Sequence, residues 1–231
     1  MENQLSLTVV SNAGRHPWQY PVRSLWNGGW SGRDQQAVQR HVDELAVVGV
    51  PAPTTTPICF PLSNNLATTS RSIQVVGSES SGEIEYALLF TEGGELLVTV
   101  ASDHTDRAFE RHGIQQAKQL CPNVLAPEVW PYREVQRHWE QLVLRCWTTA
   151  GAERRLYQQA PLSELLAPDD WFKILTGEDI TRPGLLFLSG TPPTIGGLVF
   201  ADAYELELED PVLGRSIRHH YQVEVLGPGR Q

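Results

Sequence analysis

The chain has 231 residues, 41% hydrophobic and 19% charged, which is ample for a packed core and unlike a disordered chain. Its 27 acidic and 18 basic residues give a formal charge of −9 with no Lys/Arg block, which argues against nucleic acids and membranes as partners. No signal peptide, no apolar run of the ~18 residues that cross a bilayer and no disulfide pattern is recognisable. We therefore expect a soluble, cytoplasmic protein.

Apolar and turn-forming residues predict strands and helices that do not alternate regularly. A Trp- and Gly-rich stretch, residues 26–32, is interpreted as a loop. The predicted elements in chain order are strand 5–10, helix 34–48 with Asp34 as its N-cap, extended segment 51–66, strands 72–76, 83–90 and 95–101, helices 106–120 and 131–141, a strand ending near 148, a helix opening at 161–166 with Ser163 as a possible cap, and strands 185–189, 204–209 and 217–226.

This order predicts an α+β fold that is rich in sheet. We expect one domain over residues 1–231. Its first part, 1–60, contains a strand, a loop and a lid-like helix between a Gly-rich and a Pro-rich arm, and 61–231 forms a metal-binding, β-rich core.

The hairpin formed by the strands at 83–90 and 95–101 carries the strongest chemical signal. Glu83 and Glu85 are two positions apart on the first strand, so their carboxylates point to the same face, roughly 6–7 Å apart. The second strand ends in a polar run that contains Asp103, and the turn returns this run to the level of Glu83. Clustered carboxylates repel one another unless a cation lies between them, and oxygen ligands suit Mg²⁺, Mn²⁺ or Ca²⁺. An isolated E-x-E is more often a solvated strand face.

The length of the turn decides whether Asp103 can join the two glutamates. If Gly93 and Gly94 form a two-residue loop, paired residue numbers sum to 187, and Asp103 faces away from both. An odd loop or a bulge gives sums of 186 or 188 and places Asp103 opposite Glu83 or Glu85. A three-carboxylate site therefore needs an irregular hairpin, or an Asp103 beyond the last paired position.

Other candidates have weaker signals. His41 and Glu44 lie three apart on the predicted helix, where the carboxylate could orient the imidazole as a base, although such neighbours are usually surface pairs. Lys118 is one of only two lysines, and an exposed lysine is the simplest interpretation. Thr191 lies in a tight turn after a strand, which turn chemistry explains by itself.

In order and spacing these segments resemble the fumarylacetoacetate hydrolase superfamily, from about residue 30 to 226. Five stretches carry the resemblance. GRD…HVDEL at 32–45 resembles the family's G-R-N-Y…H-x-x-E, GEIEYA at 82–87 resembles E-x-E-L-A, and SDHTDR at 102–107 resembles N-D-x-T-x-R. AK at 117–118 resembles A-K or G-K, and RPGLLFLSGTP at 182–192 resembles P-G-D-x-I-x-T-G-T-P. Ser102 and Leu185 depart from the pattern, and P-x-G-P-W after the lysine is absent. The known substrates are therefore not transferred.

The resemblance implies an uncharacterised branch of the superfamily with its mixed, rolled β-structure and peripheral helices, usually a homodimer. The roles that it transfers are metal ligands at Glu83, Glu85 and Asp103, an acid–base dyad of His41 and Glu44, a catalytic and substrate-contacting Lys118, and a substrate-binding turn at Thr191. In the mechanism that we infer from these roles, Arg107 joins Lys118 in binding the substrate, where both supply positive charge to a carboxylate or a developing oxyanion.

The resulting hypothesis is a divalent-metal-dependent enzyme, using Mg²⁺, Mn²⁺ or Ca²⁺, that acts on a small anionic oxo acid or dicarbonyl compound. The reaction would be C–C bond hydrolysis or decarboxylation through a metal-stabilised enolate. An isomerase or hydratase using the same site is one alternative. A non-catalytic protein that binds a metal and a small acid is another, and its signature would be a disabled dyad. A chance match in an acidic structural protein predicts no metal near Glu83.

Overall fold

Strands make up most of the regular structure in the computed structural model, which describes residues 3–47, 52, 53 and 55–227, without the side chains of residues 41, 44 and 45. The strands in these ranges are β1 (Asn3–Ser11), β2 (Gly14–Val22), β3 (Ser24–Gly29), β4 (Ile58–Leu62), β5 (Ala67–Thr68), β6 (Ser72–Val76), β7 (Ser80–Phe90), β8 (Leu96–Asp106), β9 (Asn123–Leu125), β10 (Glu128–Pro131), β11 (Val143–Ala150), β12 (Glu153–Pro161), β13 (Leu185–Leu188), β14 (Ala203–Asp210) and β15 (Arg215–Leu226).

Helices are few and short. The α-helices are α1 (Gln35–Val47), α2 (Ile114–Gln119), α3 (Tyr132–Val135) and α4 (Pro168–Gly177). The 3₁₀ segments are Asn64–Leu66, Glu110–His112, Gln136–Gln141 and Leu162–Glu164. Among the residues that the structure describes, no helix has both the length and the hydrophobicity needed to span a membrane.

The strands form two mixed sheets. The larger sheet has the order β2-β1-β10-β8-β7-β13-β3-β4, with β9 beside β8 and β5 beside β9, and the smaller has the order β12-β11-β14-β15-β6. Parallel pairs, such as β3 with β13 and β6 with β15, occur among antiparallel ones. The larger sheet is also rolled, because the side chains of Asn27 on β3 and Asn123 on β9 hydrogen-bond although three strands separate β3 from β9. The predicted sheet-rich, mixed and rolled α+β fold is confirmed.

The two faces of the β7–β8 hairpin pack against different hydrophobic cores. Ile84 and Val100 point into the core between the two sheets. Ala87 and Ala101 point to the other face, into a core that lies within the roll of the larger sheet. Because side chains alternate along a strand, the odd-numbered residues of both strands, and with them the three carboxylates, belong to the face within the roll.

The Trp- and Gly-rich stretch is not all loop, so that prediction was wrong for its first half. Residues 26–29 belong to β3, which pairs with β13 on one side and β4 on the other. Gly28 permits close packing here instead of a turn, since a Cβ at this position would lie 2.7 Å from the Trp171 ring of α4. Tertiary packing thus outweighs the loop preference of a Gly pair.

The predicted helices are mostly shorter than expected or begin elsewhere. Segments 106–120 and 131–141 each divide into a 3₁₀ segment and a short α-helix. The helix expected to open at 161–166 is a single 3₁₀ turn, and α4 begins later, at Pro168, with Ala167 and not Ser163 at its N-cap position. Strands β2, β5, β9, β10 and β12 were not predicted.

Helix α1 begins as predicted. The Asp34 carboxylate accepts hydrogen bonds from the backbone N–H groups of Gln36 and Ala37, at 2.9 and 3.2 Å, which is an N-cap arrangement. Its N-terminal arm is not a free hinge, because backbone hydrogen bonds of 2.9 Å join Arg33 to Glu164 and Ser31 to Leu166. The predicted end of the helix at residues 48–51 lies outside the described residues.

Candidate active site

The connection between β7 and β8 has an odd length, residues 91–95. Paired residue numbers therefore sum to 186 along the whole hairpin, and Asp103 is directly opposite Glu83. Glu85, two residues further along β7, points to the same face. This is one of the registers that a three-carboxylate site requires, and a slip by one residue would move the buried side chains of one strand from this core into the core on the other face.

The three carboxylates lie on this face near the end of the hairpin that is farthest from the connection between β7 and β8. Asp103 is fully buried, Glu85 is 1% exposed, and the Glu83 side chain retains 17% of its exposure. Burial raises the pKa of Glu85 well above its ordinary value, and the Asp103 charge raises it further, whereas Lys118 and the Gly190 amide act in the opposite direction. Additional positive charge near Glu85 would therefore stabilise its ionised form.

Lys118 lies among these carboxylates. It is placed by the short helix α2, and its ammonium forms an ion pair with Asp103. Burial alone would lower the pKa of Lys118, but the charges of Asp103, Glu83 and Glu85 together raise it. The Phe60 ring lies beside the ammonium, with its centroid 6.0 Å from Nζ. Lys118 is therefore a buried, charged lysine, in contrast to the exposed lysine that its sequence context suggests.

Arg107 lies at the edge of the cluster and contacts Glu83 and two neighbouring polar residues. Its Nη2 lies 3.1 Å from a Glu83 carboxylate oxygen, Nη1 donates to Glu110 at 2.7 Å, and Nε donates to the Ser81 hydroxyl at 2.7 Å. Only 8% of the Arg107 side chain is exposed. These contacts favour a role in positioning Glu83 over direct contact with a substrate.

The turn after β13 docks on β7 beside the cluster. The Gly190 N–H donates to the Glu85 carboxylate at 2.6 Å, and the Thr191 hydroxyl donates to the Ile84 carbonyl at 2.9 Å. The Gln158 side-chain amide donates to the Thr191 hydroxyl at 2.7 Å. Gly190 has φ of +85°, a conformation that favours glycine. The turn thus brings a backbone donor to the site, and Thr191 holds the turn in place.

Among the described residues, no three Asp, Glu, His or Cys side chains converge closely enough to hold a metal ion as they stand. Lys118 engages Asp103, Arg107 engages Glu83 and the Gly190 amide engages Glu85. The donor set nevertheless fits a hard divalent cation, because it offers three carboxylates on adjacent positions of one buried face. Glu83, Glu85 and Asp103 are the residues that would hold it.

His41 and Glu44 belong to α1 by their backbone, but their side chains lie outside what the structure describes. The acid–base dyad therefore stays a prediction. The other predicted site residues, with the turn that carries Thr191, come together at one end of the β7–β8 hairpin.

Sequence reasoning missed several polar residues of this region. Glu110 shares Arg107 with Glu83, and the Thr105 hydroxyl donates to Asp103 at 3.3 Å. Asn27 and Asn123 lie on the same face as the carboxylates. An Asn at the start of an otherwise apolar strand is a detectable signal in the case of Asn123, whereas Asn27 was hidden because its stretch was interpreted as a loop.

A cavity of about 540 Å³ opens at the other end of the hairpin, lined in part by Trp18, Tyr20, Arg23 and Glu92. Glu83 is seven residues from the turn, so this cavity is roughly 20 Å from the carboxylates. We place the site at the carboxylates, because the convergent buried charges and the raised pKa of Glu85 are there.

Solved structures share this architecture at low sequence identity. A structure described as Cg1458 matches with a TM-score of 0.65 and 13% identity, over 97% of this chain and 100% of its own. The complex of 2-keto-3-deoxy-D-arabinonate dehydratase with magnesium and 2,5-dioxopentanoate matches with a TM-score of 0.61 and 15% identity, over 88% and 74%. A yeast fumarylacetoacetate hydrolase family protein, ynq8, matches with 0.58 and 16%, over 91% and 97%.

The fold is therefore that of the fumarylacetoacetate hydrolase family, as the sequence motifs indicated. Within that fold, the chain belongs to the family described as "Protein of unknown function (DUF2848)", whose model matches residues 28–221. This range includes the last two residues of β3, the whole carboxylate hairpin, Lys118 and the turn at Thr191. No curated protein matches the sequence.

Proposed function

We propose that the chain is a divalent-metal-dependent enzyme that acts on a small anionic oxo acid or dicarbonyl compound. The observation that carries this proposal is the placement of Glu83, Glu85 and Asp103 on one buried face, with Lys118 among them. The magnesium and 2,5-dioxopentanoate bound by the dehydratase of the same fold support the choice of ligands. C–C bond hydrolysis or decarboxylation is the proposed reaction, and the dehydratase makes hydration or dehydration the second candidate.

Each residue has a task in this proposal. Glu83, Glu85 and Asp103 hold Mg²⁺ or Mn²⁺, which when bound supplies Lewis acidity toward a substrate oxygen. Lys118 leaves Asp103 and directs its ammonium to a carboxylate or to negative charge that develops on the substrate. Arg107 keeps Glu83 in place. Two more proposals extend the assignment: a His41–Glu44 dyad that accepts a proton from water or substrate, and a homodimer.

A test uses the full chain, freed of metal with EDTA and returned to Mg²⁺, Mn²⁺ or Ca²⁺. Oxo acids and acylpyruvates are screened for released pyruvate, released CO₂ and loss of enol absorbance. We expect metal-dependent turnover that falls at least 100-fold in Asp103→Asn, since this change removes a charged ligand. The matched control is Asp106→Asn, a carboxylate on the same strand but on the other face, whose activity should be nearly normal.

The outcomes separate the alternatives. Equal turnover in Asp103→Asn and Asp106→Asn contradicts the site. Metal binding without turnover of any acid in the panel favours the non-catalytic binding protein. A chain that neither binds a divalent cation nor turns over an acid contradicts the proposal as a whole.

A further inference from the structure

Two buried amides face each other across the roll of the larger sheet. Asn27 on β3 donates from Nδ2 to Asn123 Oδ1 on β9 at 2.9 Å, and both residues are fully buried. The remaining amide atoms, Asn27 Oδ1 and Asn123 Nδ2, have no hydrogen-bond partner within the described part of the chain. Exchanging O and N in both amides reverses the bond but still leaves one carbonyl and one NH₂ group unused.

Both amides border the carboxylates. Asn123 is paired with Asp103 across the β8–β9 ladder, so their side chains lie side by side on the same face. Asn27 is paired with Leu188 on β13, two residues before Gly190, whose N–H binds Glu85. The two asparagines therefore flank the carboxylate strands from both sides.

Other contacts complete the same enclosure. Asn27 is also paired with Phe60 on β4, and the Phe60 ring lies beside the Lys118 ammonium that binds Asp103. The Ser31 hydroxyl, 2% exposed, has no partner among the described residues and lies next to Gly190, where a Cβ would come within 2.2 Å of it. The region thus contains more buried hydrogen-bonding capacity than its own residues use.

Such unused capacity has a cost. A buried donor or acceptor without a partner destabilises a protein by about 1–3 kcal/mol, and most native proteins contain few of them. Apolar side chains at these two positions would fill the roll without that cost. A ligand that satisfies both atoms recovers the loss on binding, and an analogue that cannot do so is rejected, often by large factors.

We propose that Asn27 and Asn123 form a specificity-determining pair that binds a hydroxyl group of the substrate. One amide carbonyl accepts a hydrogen bond from the hydroxyl, and the NH₂ group of the other amide donates a hydrogen bond to the hydroxyl oxygen. A hydroxyl is the simple group that donates and accepts at one atom. The substrate class is then a hydroxylated oxo acid. This inference rests on the proposed function, since it assumes that an oxo acid binds at the carboxylate cluster.

The test compares matched ligands that differ by one hydroxyl, namely hydroxypyruvate with pyruvate and 4-hydroxy-2-oxopentanoate with 2-oxopentanoate. Calorimetric titration in saturating Mg²⁺ measures each Kd. For at least one pair we expect the wild-type chain to bind the hydroxylated acid at least 10-fold more tightly. Equal affinities within both pairs would overturn the inference, and the proposed function would still stand.

The variant is the double substitution Asn27→Leu/Asn123→Leu, which removes both amides together and so leaves no new unpaired group. We expect the preference for the hydroxylated acid to disappear, the Kd of its deoxy analogue and the Kd of Mg²⁺ to stay within about threefold, and the Tm to stay the same or rise. The control, Thr99→Val, removes another fully buried polar group on the same face of β8 and should keep the preference.

A purely structural pair behaves differently. It predicts a lower Tm in the double variant with the ligand preference retained, and that result would overturn the inference. If the double variant does not fold, Asn123→Ala supplies the same comparison, because it also removes a binding amide. If wild type binds neither Mg²⁺ nor any of the four acids, the proposed function fails, and the inference fails with it.

Discussion

Single charged side chains in this site are held by several partners at once, and Arg107 shows what this means. Its planar guanidinium reaches Glu83, Glu110 and Ser81 together, and burial, which opposes its charge, is outweighed by Glu83, Glu110 and Asp103, so that its pKa is raised. A lysine ammonium is a point charge and cannot span the same set of acceptors. The residue type is thus specified by geometry and not by charge alone.

We therefore expect Arg107→Lys to lower the free energy of unfolding by about 2–4 kcal/mol, because it leaves a largely buried carboxylate without its guanidinium partner. Urea denaturation followed by circular dichroism measures this. Arg15→Lys is the matched control, since Arg15 forms an exposed pair with Glu128 and should lose less than about 0.5 kcal/mol. Similar losses in both variants would mean that the contacts of Arg107 contribute little.

His104 supplies a prediction about pH. It is fully buried between Ser80 and Tyr221, and burial, with a smaller contribution from Arg107, lowers its pKa to about 3. Between about pH 3 and pH 6.5 the unfolded chain binds a proton at His104 that the folded chain does not, so stability falls as the pH falls. The loss is about 1.4 kcal/mol per pH unit in that window.

Denaturation at pH 7 and pH 5 measures the effect in wild type and His104→Asn. We expect the variant to be less stable at pH 7, because hydrogen bonds are lost, but to lose about 2 kcal/mol less than wild type on going to pH 5. The raised pKa of Glu85 acts in the opposite direction, stabilising the fold at low pH, and it is common to both chains. Parallel pH profiles would contradict a neutral, buried His104.

At the scale of elements, strand β3 shows how close packing determines residue choice. Gly28 of this strand packs against the Trp171 ring of α4. A Cβ added to Gly28 would lie only 3.0 Å from the Ser189 carbonyl oxygen. Sequence reasoning recognised the glycines but assigned them to a loop, because a Gly pair between tryptophans has the composition of one. The information that makes it a strand, namely its pairing with β13 and β4, comes from segments far away in the chain.

Gly28→Ala should accordingly destabilise the protein by about 1–3 kcal/mol through overpacking against Trp171. Gly177→Ala is the control. Gly177 ends helix α4 with no atom within 4 Å of an added Cβ, and the change should be neutral or stabilising by up to about 1 kcal/mol. Chemical denaturation of both variants decides the matter, and a neutral Gly28→Ala would show that β3 and α4 move apart easily.

The carboxylate hairpin was far more accessible to prediction than β3. Alternation along a strand places Glu83 and Glu85 on one face, and parity restricts where Asp103 can lie, so short-range rules came close to the observed register. They did not settle it, because the local sequence of the turn left a two-residue loop and an odd connection both open, and the observed connection has five residues. The Gly190 amide on Glu85 was beyond such rules, since it arrives from 105 residues away.

At the scale of the whole molecule, the site predicts coupling between metal and stability. A cation that binds only the folded chain raises stability by about 2.7 kcal/mol at 100 times its Kd, which corresponds to about 5–10 °C in Tm for a chain of this size. We expect this shift with Mg²⁺ or Mn²⁺ in thermal denaturation.

Glu83→Gln and Asp103→Asn should both abolish the shift, and Asp106→Asn should preserve it. Shifts of the same size in wild type and in the two site variants would assign the stabilisation to some other part of the molecule.

The rolled sheet also has a consequence for the order of events during folding. The β7–β8 hairpin closes over a five-residue connection, whereas β13 reaches β7 and β3 only after roughly 100 and 160 residues of chain have been brought together. Because short loops close with less loss of entropy, we expect the acidic strand face to be assembled while it is still hydrated. Glu85 would then lose its hydration late, when the turn at Gly190 closes over it. The cost of this dehydration would raise the free-energy barrier of the last folding step more than that of hairpin formation.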